Sequence, residues 1–314
     1  MAAMADATRH YHHGRFEEAM GSWEEASRTA DRRVDSDEAD YRRAQTLRRT
    51  GRVDEALALF DAIAARRPVA RRTVRAGFAA ALIRLERGED AEARAALEHI
   101  VREHPEDGPA SRSLRLLLEP MEPAAQLALV RELLPLVGDT DLGDDLLTVE
   151  AQLLRDAGDV DGAVAALERL VEEHPYPHGQ RWDDALWRLA DLAMERDDPE
   201  AAIAYLRQMI EPHTQTVSPG SQTLPRMPDA GLRIARIYRD ALDDPDRAQA
   251  AFEAMVEEFP TSRLRDDALY ELGAMWLDRD HPDRGCPVLR RVVEEFDVGH
   301  ARREAARRLE ADCD

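Results

Sequence analysis

The chain has 314 residues, 44% of them hydrophobic but only 5% aromatic, and a formal net charge of −21. That charge disfavours nucleic acid and anionic lipid as partners. No apolar run approaches the ~18 residues of a spanning helix, the best being Leu133-Leu134-Pro135-Leu136-Val137. All 43 Lys+Arg positions are arginine and asparagine is absent. That fits the codon bias of a GC-rich bacterial genome or, less favoured, adaptation to high salt, and it excludes lysine-dependent phosphate loops and Schiff bases.

Ala, Leu, Arg and Glu dominate, and these are good helix formers. The N-terminal stretch Met1–Asp6 runs straight into charged helix, without a basic segment followed by an apolar one. No signal peptide is expected, so the default location is cytoplasmic, or periplasmic if the N-terminus was trimmed. Self-similarity follows almost at once. Gly14 leads to Ala19, Trp23 and Ala26. Gly51 leads to Ala56, Phe60, Ile63 and Pro68, and Gly88 to Ala93, Leu97, Ile100 and Pro105. Gly158 leads to Ala163, Leu167, Leu170 and Pro175 at the same offsets of 5, 9, 12 and 17. Later copies keep the second half: Ala202, Leu206, Met209; then Ala248, Phe252, Met255, Pro260; then Gly285, Leu289, Val292.

The offsets have physical meanings. Glycine tolerates the positive φ needed where one helix turns into the next. A small residue five positions on lets two helices approach closely. The apolar residues at +9 and +12 share one helix face, and the proline ends the second helix. The anchors predict an all-α solenoid of about eight helical hairpins. Their spans are 2–30, 36–68, 70–105, 109–138, 143–175, 181–213, 228–260 and 264–297, within an array over 1–298. The fourth is divergent, with helices near 111–118 and 124–137. An insertion at 212–228, rich in Pro, Ser, Thr and Gln, predicts an exposed loop. Residues 299–314 predict a capping helix with Ala301, Ala305 and Leu309 inward.

With Leu269, Leu272, Gly273 and Trp276 on an opening helix, the whole pattern resembles the tetratricopeptide repeat. The stretch from Phe259 to Gly273 is similar to the bacterial subgroup found in envelope-assembly and cell-division-coordinating proteins. The resemblance implies a right-handed α-solenoid and a non-catalytic scaffold or adaptor whose first helices line a concave groove for a peptide or partner protein. Other readings are the repeat region of a larger regulatory protein and, less favoured, a nucleic-acid-binding regulator.

Signs of other chemistry are weak. His10, His12 and His13 cluster without an acid or Cys at ligand spacing, and His174 and His178 are separated by Pro175 and Pro177. No metal, cofactor or catalytic residue is expected. The pairs Asp144-Asp145, Asp183-Asp184 and Asp266-Asp267 recur at helix starts, which suits capping and the helix dipole. Cys286 is expected in packed core and Cys313 near a frayed end, with two cysteines making no disulfide framework.

One charge feature is local. From Tyr41 to Arg75 there are ten arginines and three acids, +7 in a chain of −21, so the rest carries −28. Arg42, Gln45, Arg49, Arg71 and Arg75 are the candidates to face the groove. Arginine there would clamp carboxylates of an acidic segment; the competing reading is pairing with neighbouring acids on a solvated face.

Overall fold

The structure, a computed structural model, describes residues 2–215 and 226–313. Those residues form seventeen helices and no strand. They are α1 (Ala2–His12), α2 (Phe16–Arg28), α3 (Arg33–Arg49), α4 (Val53–Ala64), α5 (Arg71–Glu86), α6 (Asp90–Glu103), α7 (Ala110–Leu118), α8 (Pro123–Val137) and α9 (Leu142–Asp156). There follow α10 (Val160–Glu173), α11 (Trp182–Glu195), α12 (Pro199–Gln215), α13 (Met227–Asp240), α14 (Pro245–Glu258), α15 (Arg265–Leu277), α16 (Pro282–Glu295) and α17 (His300–Asp312). Two compact units, Met1–Val149 and Glu150–Asp314, divide the chain. In the first, α1 packs on α2, α3 on α4 and α5 on α6, and each pair packs on the next helix. In the second, α11/α12, α13/α14 and α15/α16 pair likewise, and α17 lies against α15 and α16. This is an all-α helical-repeat solenoid, as the register predicts.

The turn between paired helices is made the same way in each well-formed copy. Gly14, Gly51, Gly88 and Gly158 have φ between +71° and +83°. Arg52 N–H reaches back to Leu47 O, and Asp159 N–H to Leu154 O, each at 2.9 Å. That six-to-one bond closes a helix end through a left-handed residue. In later copies Asp197, Asp243 and Asp280 hold the same left-handed position, with φ of +58°, +45° and +57°. Aspartate is among the few side chains that tolerate it.

Five residues beyond each turn the small anchor is sealed: Ala19, Ala56, Ala202 and Ala248 are fully buried. The +9 and +12 positions form the core beside it, Phe60 with Ile63, Leu97 with Ile100, and Phe252 with Met255. Burying such side chains contributes about 1.5–3 kcal/mol each.

Three expectations need correction. The paired acids Asp183-Asp184 and Asp266-Asp267 lie in the first turns of α11 and α15, but no side-chain cap precedes either helix. Asp184 pairs instead with Arg188 at 2.9 Å and Arg226 at 3.0 Å, and acids in a first turn suit the helix dipole. Side-chain capping falls instead on second helices, where Asp159, Asp198 and Asp244 accept from Gly162, Ala201 and Arg247 N–H at 2.9–3.0 Å. The segment expected as a loop at 212–228 starts as helix, since α12 continues to Gln215, and Met227 and Pro228 open α13. Proline removes only its own N–H bond and crowds one carbonyl, and α8 and α16 also contain Pro135 and Pro287. The remainder, 216–225, lies outside the described residues. Finally, Cys286 and Cys313 are joined in a disulfide across 27 positions. The capping helix packs back on α16 and brings the two Cα atoms to 5.8 Å, a folding-back that separation in sequence does not reveal.

Candidate functional site

The first helices of the early hairpins lie side by side and touch through long side chains. Arg49 of α3 donates to the Tyr11 hydroxyl of α1 at 3.0 Å. Arg72 of α5 pairs with Glu38 of α3 and stands 5.0 Å over the Tyr41 ring. Arg112 of α7 stands 5.0 Å over Phe78 of α5. The five residues singled out in sequence fall on two of these helices. Arg42, Gln45 and Arg49 are spaced by three and four along α3, one face by helical periodicity, and Arg71 and Arg75 share a face of α5.

Their surroundings separate them. Arg42 is tied to Glu38 at 2.8 Å, the same carboxylate that Arg72 engages. Gln45 is exposed and borders a cavity of about 220 Å³ between α1, α2 and α3. Arg49 stacks 5.3 Å over Tyr11 and 5.1 Å over Phe16, a cation–π arrangement. It has no carboxylate partner among the described residues. The Arg71 and Arg75 guanidinium groups have no hydrogen bond or ion pair among the described residues, Arg71 exposed and Arg75 half-buried.

Most other arginines of the basic zone are internally neutralised. Arg43 meets Glu24 at 3.3 Å, Arg48 meets Glu86, and Arg52 meets Glu55 at 2.6 Å. Hydrogen bonding between Arg52 and Glu55 raises the guanidinium and holds the carboxyl below its usual range. Arg66 bridges the buried Asp37 at 2.7 Å and Asp40. Burial alone would lower the Arg66 pKa, yet the hydrogen bonds to Asp40 and Asp37 outweigh it and the net shift is upward. Arg67 caps the carbonyls of Ala64 and Arg66. Three of the five candidates, Arg49, Arg71 and Arg75, therefore lack a neutralising acid.

The tetratricopeptide repeat family matches this sequence at residues 4–71, 41–108 and 148–215, and a second description of the same repeat matches 229–262. The chain belongs to the tetratricopeptide repeat family. Among curated proteins nothing matches this tetratricopeptide protein. Among solved structures it is similar to YrrB, described as a tetratricopeptide protein with an unusual peptide-binding site, at 15% identity and a TM-score of 0.41 over 68% of this chain and 98% of that one. It is also similar to Naa15/Naa10 bound to HypK, at 16% identity and a TM-score of 0.43 over 91% of this chain and 46% of that one. A third is a tetratricopeptide repeat protein from Parabacteroides merdae, at 14% identity and a TM-score of 0.30 over 100% of this chain and 98% of that one.

Two features of the tetratricopeptide site escaped the sequence reading. Trp23 was placed in the packing register at +9, and it does pack, at 4% exposure, yet it also lines the cavity. Tyr11 sat among histidines that drew attention to metals; no metal-binding group exists among the described residues. Its hydroxyl accepts from Arg49 and its ring lies under that guanidinium. The only signal for either was aromatic character in a chain poor in it. No helix among the described residues is long and apolar enough to cross a membrane.

Proposed function

We propose that this protein is a non-catalytic interaction scaffold whose first three hairpins hold an acidic segment of a partner protein. Membership of a family of repeat scaffolds supports the general reading. The observation that carries the specific one is the residue of unneutralised charge: Arg49, Arg71 and Arg75 lack carboxylate partners in a zone where most neighbouring arginines have them. An unpaired guanidinium donates two parallel N–H bonds to a carboxylate, and these three are free of the internal acids that engage most of their neighbours.

The test is a binding titration with acidic peptides, comparing wild type with an Arg49→Gln, Arg71→Gln, Arg75→Gln variant. Loss of at least about tenfold in affinity is expected, since charge-assisted hydrogen bonds contribute roughly 1.5–3 kcal/mol each. An equivalent set in paired arginines, Arg43, Arg48 and Arg52 to Gln, should change affinity much less. Equal binding by wild type and the first variant overturns the reading.

A further inference from the structure

The cavity between α1, α2 and α3 holds more than a gap in packing. At about 220 Å³ it is below the ~300 Å³ at which small-molecule pockets begin, and it has the size for one amino-acid side chain. Met4, Tyr11 and Trp23 give it apolar walls, and the rest of its lining is polar or charged, Glu38 and Arg42 included. Trp23 is 4% exposed, and its indole Nε1 is buried without an acceptor. Buried donors are nearly always satisfied in native proteins. The contrast with Trp276 is direct, since its Nε1 donates to Gln249 Oε1 at 2.9 Å. Tyr11, one wall of the cavity, carries Arg49 on its ring and hydroxyl. The side chain that carries the unused donor thus lines the cavity, and the unneutralised cation lies on Tyr11, another of its walls.

We infer that this cavity is an anchor subsite that takes one apolar side chain of an extended acidic segment, with Trp23 Nε1–H donating to a backbone carbonyl of that segment and Arg49 holding a neighbouring carboxylate. The inference rests on the proposed function and specifies its ligand: an apolar residue flanked by acids. The acceptor enters past Met4, which packs against the Trp23 cluster and is unbranched and adaptable enough to yield. Charge complementarity selects an acidic partner, and the slot sets its register. A run of acids alone would satisfy the arginines and leave the slot empty.

The probe is a fluorescein-labelled peptide of alternating serine and glutamate with one central leucine, capped at both ends, beside the same peptide with central alanine. Fluorescence anisotropy should show the leucine probe binding wild type about tenfold more tightly than the alanine probe. Trp23→Phe keeps the apolar wall and removes the N–H, and should weaken the leucine probe about three- to tenfold. Because that variant alters a buried residue, a second readout uses the unaltered protein. The chain has four tryptophans, so its indole N–H resonances are resolvable by NMR. That of Trp23 should move downfield on adding the leucine probe and stay in place with the alanine probe. Equal affinity for both probes, or an unmoved Trp23 resonance in the saturated complex, overturns the anchor. If binding still depends on Arg49, Arg71 and Arg75 in that case, the acidic-segment reading stands alone. If neither probe binds, both fall.

Discussion

At Gly158 the backbone demands glycine, and the space around it does not. Its φ is +83° and a Cβ there would meet nothing within 4 Å. Alanine would suffer only the left-handed conformation, about 1–2 kcal/mol. Gly273 is the opposite case. A Cβ there would lie 2.6 Å from the Leu289 side chain and 3.2 Å from the Gly285 carbonyl oxygen. Two glycines facing each other, Gly273 on α15 and Gly285 on α16, are what let that last hairpin close. Alanine at 273 would cost about 1–3 kcal/mol by overpacking. The two mechanisms separate in a Leu289→Ala background, read by urea midpoints. The cost of Gly273→Ala should shrink there, because the nearest colliding atoms, those of Leu289, are gone, while the cost of Gly158→Ala should be unchanged. Equal costs in both backgrounds would refute the contact account.

At the scale of the element, the second helix of each hairpin was legible and the first helix much less so. Ala56, Phe60 and Ile63 recur as a triplet at fixed offsets, because each packs in a repeated environment and a repeated environment selects a repeated residue. The first helices meet partners that differ from copy to copy: Asp61 with Arg84 in one hairpin contact, Arg207 with Tyr238 in another. Such pairs leave no common signature, which is also why the slot at Trp23 and Tyr11 was not foreseen. The disulfide was illegible for another reason. It depends on α17 folding back, and α17 is held by little apolar surface, with Ala301 and Ala305 its buried residues. Closing a 27-residue loop stabilises by about 3.5 kcal/mol, so the bond matters most to this helix. Cys313→Ser should raise amide exchange across α17 by roughly 100-fold and leave α11 near wild type. Disulfides persist in oxidising compartments, against the cytoplasmic default. Alkylation of unreduced protein taken from its native host should find no free thiol; two per chain would place it where the bond does not form.

Across each of the two units, acids and arginines are spent on links between successive hairpins at about one repeat's separation. In the first, Arg48 reaches Glu86 and Arg87 reaches Asp54, separations of 38 and 33. In the second, Arg155 reaches Glu195, Arg196 reaches Asp161 and Arg279 reaches Asp243, separations of 40, 35 and 36. Exposed pairs of this kind contribute about 0–1 kcal/mol each, so the ladder gives register more than stability, and the buried anchors carry the fold. On the proposed function Arg49, Arg71 and Arg75 would play a different part, because carboxylates to pair with them would come only with a ligand. Salt should separate the two systems. Raising the ionic strength from 0.05 to 0.5 M shortens the screening length about threefold. Affinity for an acidic peptide should fall at least about tenfold over that range. The melting temperature should move by no more than a few degrees, since lost ion pairs are offset by relief of self-repulsion in a chain of −21. A collapse in melting temperature would make the ladder a principal support of the fold. An affinity indifferent to salt would remove arginine from the account of binding and leave the apolar slot as its basis.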